Sequence, residues 1–269
     1  MRNRIALTLS TIFVCSYIIV SAQEIDPKLT EVWEPVPEVV TPGTNDSAPS
    51  DAIVLFNGSD LSAWQNPQFK GEGSTVQQVK EMLEKLDDNF DHPEAGWVVE
   101  NGEMVVNPGN GAIETKETFD NFQLHIEWQS PVMEGKEGQG YSNSGIFLMS
   151  IYELQVLNSY ENKTYPNGQA GSFYKQSIPL VNASLPPGTW QAYDVIFTAP
   201  EFDENGQVAS PAYVTVFHNG VLVQNHTELQ GPTVYRGKSS YVAHPEKMPL
   251  RLQDHGDKVR FKNIWIREL

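Results

Sequence analysis

Cysteine is almost absent from this sequence. The single cysteine among the 269 residues, Cys15, lies in an apolar stretch close to the first residue. We expect that stretch to be removed on export, so the mature chain would contain no thiol. Disulfides, thiolate metal sites and cysteine nucleophiles are then excluded, and the stability of the fold must come from a hydrophobic core.

Basic residues are also scarce. The sequence has 18 Lys and Arg against 34 Asp and Glu, a formal net charge of −16. Loss of Arg2 and Arg4 with the N-terminal segment would leave 16 basic and 34 acidic residues, a formal charge of −18. Such a surface repels nucleic-acid phosphates and anionic membranes, so we expect neither as a partner. A neutral ligand such as a sugar is compatible with this charge, and so is a bound cation.

Long hydrophobic runs are missing as well, since a membrane-spanning helix needs roughly 20 apolar residues. The longest apolar run, Ile5–Val20, follows the basic Met1-Arg-Asn-Arg4 and ends before Ser21 and Ala22. A basic start, a short apolar run and a small residue at the end predict a signal peptide over residues 1–22, cleaved after Ala22. The three residues before Cys15 are too large for a lipoprotein signal, so we expect an exported protein without a membrane anchor.

The mature chain is predicted to consist of a linker and one domain. Residues 23–51 should form an extended linker, because Pro35, Pro37, Pro42 and Pro49 interrupt any regular pattern. The folded domain is predicted over residues 52–269, without an internal repeat.

One segment of the domain has helical spacing. Its apolar residues recur on one side of a helix: Val76, Val79, Met82, Leu83, Leu86 and Phe90. Ser74 and Gln77 have the spacing of a capping box, so we predict a helix over residues 75–90. This helix is an insertion between two strand motifs, with either a structural role or a role as one wall of a cleft.

The rest of the domain has the pattern of short strands. They are predicted at 104–106, 122–128, 145–152, 153–157, 190–197, 213–217, 221–224, 250–253 and 259–266. Asn-Gly pairs, as at Asn219-Gly220, separate several of them and indicate hairpin turns. Many short strands joined by hairpins favour an all-β fold, a two-sheet sandwich or jelly roll.

Alternation along three strands predicts which side chains face away from the core. Glu153 and Gln155 oppose Leu154, and Gln253 and His255 share a face with Arg251. His125 and Glu127 form a similar polar face on the strand at 122–128. A solvated outer surface is one interpretation. The other is a carbohydrate site, because Glu, Gln, Asn and His bind hydroxyl groups and tyrosines lie close by in the sequence.

The motifs of the domain resemble those of the 3-keto-disaccharide hydrolase domain family, also called DUF1080. The matching segments, in the family's order, are Leu55–Trp64, Gly96–Gly102, Ser142–Ile146, Tyr152–Val156, Asn182–Trp190, Leu252–Gly256 and Arg260–Trp265. The resemblance covers almost the whole domain. It implies a concanavalin A-like jelly roll of two antiparallel sheets, here with one helical insertion, and a bacterial periplasmic or secreted enzyme.

The resemblance also implies cleavage of 3-keto-glycosides. A ketone at C3 acidifies the C2 hydrogen, so a base can form an enediolate, the C1 oxygen can leave, and water can add back. A conventional two-carboxylate glycoside hydrolase and a carbohydrate-binding module without catalysis remain the alternatives. No cofactor is required by this scheme, although a divalent cation held by oxygen ligands could stabilise the enediolate.

The candidate catalytic residues are Glu153, as base or metal ligand, His255, as acid–base group or ligand, and Glu127. Structural alternatives are a salt bridge for Glu153 and a backbone-bonded turn for His255. The candidate substrate-binding residues are Asn143, Gln155, Tyr174, Lys175, Arg251, Gln253 and Asp254. Alternation predicts that Glu153, Gln155, Gln253 and His255 converge on one concave sheet face, with Glu127 and Asn143 at its edge.

Overall fold

The computed structural model describes residues 26–44 and 47–269, so the predicted signal peptide lies outside the described residues. Among the described residues, those up to Val39 and those from Val40 to Leu269 form separate compact units. In the first unit, Asp26 caps a short 3₁₀ turn, Pro27–Thr30, by accepting a hydrogen bond from the Lys28 amide. The larger unit includes residues 40–44 and 47–51, which belong to the linker predicted from the sequence.

Strands are the main regular secondary structure of the larger unit. Their bounds are β1 (Ile53–Phe56), β2 (Trp64–Gln65), β3 (Val98–Glu100), β4 (Glu103–Val105), β5 (Ile113–Phe119), β6 (Phe122–Gln129), β7 (Ser144–Leu148), β8 (Tyr152–Val156), β9 (Trp190–Thr198), β10 (Glu201–Phe202), β11 (Val208–Ser210), β12 (Tyr213–His218), β13 (Val221–Glu228), β14 (Met248–Leu252) and β15 (Arg260–Glu268). The α-helix of the described residues, α1, spans Val76–Leu83, and two further 3₁₀ turns span Gly138–Gly140 and Pro166–Gly168.

Two antiparallel sheets form the sandwich. The eight-stranded sheet has the order β13-β12-β9-β6-β15-β4-β3, with β1 also paired to β15. The five-stranded sheet has the order β2-β5-β14-β7-β8, and β10 and β11 form a separate hairpin. This architecture confirms the predicted all-β, concanavalin A-like jelly-roll sandwich with one helical insertion. The described part of the chain contains no helix with the length and hydropathy of a membrane span.

The core lies between the facing sides of the two sheets. From β6, the side chains of Leu124, Ile126 and Trp128 are fully buried, and those of Leu154 and Val156 on β8 meet them from the other sheet. Burial of each such side chain contributes about 1.5–3 kcal/mol. The alternate residues of these strands must then face outwards, as the alternation predicted.

The helix of the insertion is shorter than predicted and begins one residue later. Its N-cap is Thr75, whose hydroxyl accepts a hydrogen bond from the Gln78 amide, so the predicted Ser74–Gln77 cap was wrong by one position. After Leu83 the backbone continues in tighter turns, with the Leu86 amide bonded to the Leu83 carbonyl. Val79 is the helix residue that is buried, and it attaches the insertion to the core.

A three-residue turn, residues 149–151, divides the strand that was predicted at residues 145–152. Met149 and Ser150 have φ angles of 48° and 60°, which produce a tight hairpin between β7 and β8. The Ser150 hydroxyl donates to the Pro249 carbonyl and anchors the turn to β14. The hairpin pairs Phe147 with Glu153 and Gly145 with Gln155, and this register positions the candidate site.

Candidate active site

A row of paired residues crosses the outer face of the five-stranded sheet. In strand order, from β2 to β8, they are Gln65, Glu114, Arg251, Phe147 and Glu153. Neighbouring strands lie about 4.8 Å apart, so this row is about 20 Å long. Two cavities open on this face, one above Glu153 and the other above Glu114 and Arg251.

The cavity above Glu153, here called the Glu153 cavity, has a volume of about 600 Å³. This volume lies within the range of about 300–1,000 Å³ that is usual for small-ligand sites. Its floor comes from β7, β8 and the residues after β14, and one wall comes from Gly71–Ser74, the loop that precedes α1. Tyrosines from two further loops complete the lining.

Glu153 lies at the centre of the cavity floor and is only 5% exposed. Its main chain is fixed by hydrogen bonds, because its amide donates to the Thr233 hydroxyl and its carbonyl accepts from the Tyr174 amide. A Cβ atom at Gly145 would lie 2.8 Å from Glu153 Oε1, so glycine leaves the space that the carboxyl group occupies. Among the described residues, the Glu153 carboxyl group has no hydrogen-bond or ion-pair partner.

The surroundings of Glu153 favour its protonated form. Burial raises the pKa of Glu153 well above the ordinary carboxyl value, and the nearby Glu72 carboxylate raises it further. A carboxyl group with a raised pKa is a stronger base once ionised and a usable acid while protonated. Two features therefore determine the electrostatics of this site. Glu153 is buried without an ion-pair partner among the described residues, and Glu72 places a negative charge near it.

Two glutamines beside Glu153 present unused hydrogen-bond acceptors. Gln155 Nε2 donates to Gln139 Oε1 and to the Gly168 carbonyl, both at 3.2 Å. The Oε1 atoms of Gln155 and Gln253 are buried and have no partner within the described part of the chain. Since buried polar atoms are normally paired, these two side chains have the properties of a site that is completed by a ligand's hydroxyl groups.

Aromatic rings line the opposite side of the cavity. The hydroxyl groups of Tyr165 and Tyr174 are 2.7 Å apart. Burial and this mutual contact raise the pKa of Tyr174, so both phenols stay protonated near neutral pH. Tyr235 is 57% exposed and offers a ring face at the entrance. Aromatic faces next to amide groups suit the apolar C–H faces and hydroxyl rim of a sugar ring.

The structure brings together six of the predicted site residues. They are Glu153, Gln155, Gln253, His255, Asn143 and Tyr174, which all line the Glu153 cavity. His255 is exposed at the rim. The Asn143 side chain donates to the Gln139 carbonyl, so it shapes the cavity wall. The catalytic and binding roles of these six residues remain predictions.

Three predicted binding residues lie outside this cavity. Lys175 Nζ donates to the Tyr235 carbonyl and lies 4.0 Å from the centre of the Tyr235 ring, so it packs against that tyrosine. The Asp254 carboxylate accepts hydrogen bonds from the amides of Gly109 and Gly111, so it holds the loop at residues 109–111 in place. Arg251 belongs to the neighbouring cavity. Alternation gave the sheet face of Arg251 but not which of the two cavities it lines, and it gave no information on Lys175 or Asp254.

Glu127 was predicted at the edge of the concave face, and that position was wrong. Glu127 lies on β6 of the eight-stranded sheet, whose outer face is on the opposite side of the sandwich. There it accepts a hydrogen bond from Asn263 at 2.9 Å and pairs with Lys262 at 3.2 Å. Both sheets have an outer face with alternating polar residues, so the sequence pattern could not assign Glu127 to the correct one.

Sequence reasoning missed nine of the fifteen residues that line the cavity, among them Glu72, Tyr165, Thr233 and Tyr235. All four lie in loops or turns, where side-chain periodicity gives no information. The one local signal was at Glu72, a carboxylate between Gly71 and Gly73 ahead of the helix.

The structure gives no geometric support for the divalent cation that the sequence analysis left open. Within residues 26–44 and 47–269, no three His, Cys, Asp or Glu side chains come together as a group that could hold a metal ion. The acidic and imidazole groups of the Glu153 cavity are Glu72, Glu153 and His255.

Comparison with known proteins gives a consistent family relationship. Residues 51–267 match the model of the 3-keto-alpha-glucoside-1,2-lyase-like domain. A candidate glycosyl hydrolase from Parabacteroides distasonis ATCC 8503, solved at 2.13 Å, is 46% identical, with a TM-score of 0.78 over 90% of this chain and 96% of that one. A second candidate glycosyl hydrolase from the same organism, 22% identical, has a TM-score of 0.53 over 81% of this chain and 94% of that one, which shows the fold alone. A search of curated proteins gave no match.

Proposed function

We propose that this chain, which belongs to the family of 3-keto-alpha-glucoside-1,2-lyase-like domains, cleaves 3-keto-glycosides, including 3-keto-disaccharides. The reaction would be an elimination followed by addition of water, with net hydrolysis of the glycosidic bond. The Glu153 cavity would bind the oxidised sugar ring. The glycosyl hydrolase assignment of the 46% identical relative is consistent with a substrate of this class.

The observation that carries this proposal is the state of Glu153. Glu153 is a buried carboxyl group with a raised pKa and no hydrogen-bond or ion-pair partner among the described residues. The absence of a side chain at Gly145 leaves the space that this carboxyl group occupies. Removal of the weakly acidic C2 hydrogen of a 3-keto sugar needs a single well-positioned base. A base with a raised pKa has a smaller free-energy difference to overcome in that proton transfer.

The proposed steps assign one task to each group. The Glu153 carboxylate removes the C2 proton, and the electrons move onto the C3 oxygen to give the enediolate. The side-chain amide of Gln253, which lines the cavity, would donate from Nε2 to stabilise that oxygen. The C1–O bond then breaks, and His255 supplies the proton to the leaving oxygen. Water then adds at C1 and passes its second proton to His255, which restores the acid. Glu153, whose carboxyl proton exchanges with solvent after the leaving group departs, protonates C2.

A conventional glycoside hydrolase is the second candidate, favoured by one observation. Glu72 and Glu153 are two carboxyl groups that line the same cavity, and the Glu72 charge raises the pKa of Glu153. Two carboxyl groups that face the same sugar are the usual machinery for direct hydrolysis of an unoxidised glycoside. This candidate does not require a ketone in the substrate.

The two candidates are distinguished by a matched pair of substrates. The protein is incubated with a 3-keto-disaccharide and, separately, with the unoxidised parent disaccharide, and the products are followed by chromatography. We expect cleavage of the keto sugar alone. Cleavage of the parent at a comparable rate would support the conventional hydrolase, and saturable binding of both without turnover would contradict either enzymatic function.

We also propose that the protein is exported to the periplasm or the medium of a bacterium without a lipid anchor. The support is the composition of residues 1–22, with a basic start and a short apolar run. Mass spectrometry of the mature protein should find Gln23 as the first residue. A lipid-modified Cys15 at the N-terminus would contradict this proposal.

A further inference from the structure

A second cavity lies on the same sheet face, next to the Glu153 cavity. It has a volume of about 430 Å³ and is here called the Arg251 cavity. Arg251 is two strands away from Glu153 in the paired row, a separation of about 10 Å. Glu72 lines both cavities, so the loop that carries it is the boundary between them.

The floor of the Arg251 cavity contains a guanidinium group with few partners. Arg251 is 3% exposed, and one of its five N–H donors forms a hydrogen bond, from Nη2 to the Phe69 carbonyl at 2.8 Å. Its contact with Glu72 measures 3.7 Å, which is longer than a hydrogen bond. The Nε atom is buried and has no partner among the described residues. An arginine in this state is costly unless a ligand uses its donors.

The charge of Arg251 is balanced by nearby Glu114, although no hydrogen bond joins the two side chains. Glu114 is its neighbour across the strand pair and is itself 7% exposed. Burial raises the pKa of Glu114, while Arg251 and His92 oppose that rise. The floor therefore has N–H donors but little net positive charge, a combination that suits a neutral oxygen acceptor better than a free anion.

The roof of the cavity has an apolar surface, with Asp87 and Asp88 next to it in the turn after the helix. Helix α1 contributes Met82 and Leu83, and the turn after it contributes Leu86, which is 41% exposed. Ile151 and Met248 add further apolar surface near the sheet. A ligand in this space would contact hydrocarbon on one side and the Arg251 donors on the other.

We infer that the Arg251 cavity binds the leaving group of the substrate, and that it selects a flat, apolar leaving group with a neutral oxygen acceptor, such as an acylated phenol. This inference rests on the proposed function, since it takes the sugar ring to occupy the Glu153 cavity. The insertion, whose role the sequence left undecided, then supplies the part of the site that recognises the leaving group.

The test uses free leaving groups, so it does not depend on turnover. The probes are 4-hydroxyacetophenone, which carries the carbonyl acceptor, and 4-ethylphenol, which has nearly the same shape without it. The reporters are ¹³C-labelled methionine methyl groups observed by NMR. Met82 and Met248 line the Arg251 cavity, whereas the described residues that line the Glu153 cavity include no methionine.

We expect 4-hydroxyacetophenone to shift the Met82 and Met248 methyl signals and to bind about tenfold more tightly than 4-ethylphenol, because a hydrogen bond to a charged donor supplies that preference. Arg251→Gln should abolish the preference. Since that variant removes a buried charge and could unfold, Leu86→Asp provides a second change, at an exposed position of the roof, and should weaken both probes. Leu185→Asp is its control, since Leu185 is similarly exposed at 38% and lines neither cavity.

Two results would overturn the inference. One is binding of both probes without any shift of the Met82 and Met248 signals. The other is equal affinity for the two probes in the folded wild-type protein. A parallel turnover assay with a 3-keto-glucoside separates the two proposals. Turnover without binding of the probes contradicts only this inference, and binding without turnover supports the cavity while contradicting the proposed function.

Discussion

The outer faces of the two sheets carry similar polar residues, but they differ in whether the described residues supply hydrogen-bond partners for them. On the eight-stranded sheet, His125 Nδ1 is 2.7 Å from Asp194, and Glu127 is bonded to Asn263 and Lys262. On the five-stranded sheet, the buried Oε1 atoms of Gln155 and Gln253 have no partner within the part of the chain that the structure describes. The Glu153 carboxyl group forms no hydrogen bond or ion pair with the described residues either. One face is a completed network, and the other has groups left for a ligand.

The presence or absence of hydrogen-bond partners indicates which sheet face binds a ligand better than residue type does. A buried polar group without a partner costs about 1–3 kcal/mol, so several such groups in one cavity make a sizeable destabilisation of the empty protein. A ligand that supplies the missing hydrogen bonds recovers that free energy. The network around Glu127 gains nothing comparable from a ligand, because its members already satisfy one another.

The largest expected effect is on kcat, and it distinguishes Glu153 from Glu127. Glu153→Gln should lower kcat for a 3-keto-glucoside by about 10²–10⁴-fold, the usual contribution of a general base. Glu127→Gln keeps an acceptor for Asn263 and should change kcat by less than about twofold. Steady-state kinetics on both variants measures the contrast. Equal losses in the two variants would remove the distinction between the faces.

The space around Glu153 gives the next prediction. Gly145→Ala places a methyl group against Glu153 Oε1 and the Phe147 ring, each at 2.8 Å from the new Cβ. We expect the carboxyl group to be displaced, with a loss of kcat of about 10²-fold and a loss of stability of about 1–3 kcal/mol. Gly140→Ala is the control for the substitution itself, because a Cβ there would meet no atom within 4 Å and Gly140, like Gly145, has no positive φ. Wild-type kcat in Gly145→Ala would show that the carboxyl position is not critical.

Stability should change in the opposite direction from activity at Glu153. Its folded-state pKa is raised by burial, so the protonated form is the one that the fold favours. Below the unfolded pKa, near 4.5, the group has no destabilising effect, and the cost grows as the pH rises towards the folded pKa. Glu153→Gln removes this cost and should raise Tm at pH 8 by about 2–4 °C, or about 1 kcal/mol, with little change at pH 4.

Thermal denaturation at both pH values measures this effect. Glu127→Gln is the matched variant, and it should not gain stability, because it loses an ion pair with Lys262. A drop in Tm for Glu153→Gln at pH 8 would indicate that Glu153 is a structural residue.

The smallest effect concerns the pH profile. Glu72 raises the pKa of Glu153 in addition to burial, so Glu72→Gln should lower that pKa. Because the base acts when ionised, the acid limb of kcat/KM should move to lower pH while the maximum rate stays similar. A shift to higher pH, or a profile unchanged in Glu72→Gln, would contradict the assignment of the acid limb to Glu153 ionisation.

Alternation in the sequence predicted the sandwich and the inward and outward sides of its strands. It worked because the core requires Leu154 and Val156 to point inwards, which forces Glu153 and Gln155 outwards. It failed at Glu127 because both sheets obey the same rule, and the pairing of strands into sheets depends on contacts distant in the sequence. The unsatisfied acceptors that distinguish the two faces are visible only in three dimensions.

Turns and loops explain the other differences. The Met149–Ser150 turn adopts positive φ angles without glycine or asparagine, because the buried Met149 and the hydrogen bond of Ser150 to Pro249 hold it in place. The sequence therefore gave no turn signal there. Glu72 and Tyr235 reach the cavity from loops whose paths are set by tertiary contacts, such as the bond from the Arg236 amide to the Ser74 carbonyl.

Exchange of the C2 hydrogen tests the central claim most directly, because it reports the proposed chemical step at the proposed base. A 3-keto-glucoside is incubated in D₂O with wild-type protein, Glu153→Gln or Glu127→Gln, and deuterium at C2 is measured by mass spectrometry in the product and the recovered substrate. Wild type and Glu127→Gln should incorporate deuterium at C2, and Glu153→Gln should incorporate almost none. Cleavage by wild type without C2 deuterium, or exchange by Glu153→Gln at the wild-type rate, would contradict the account.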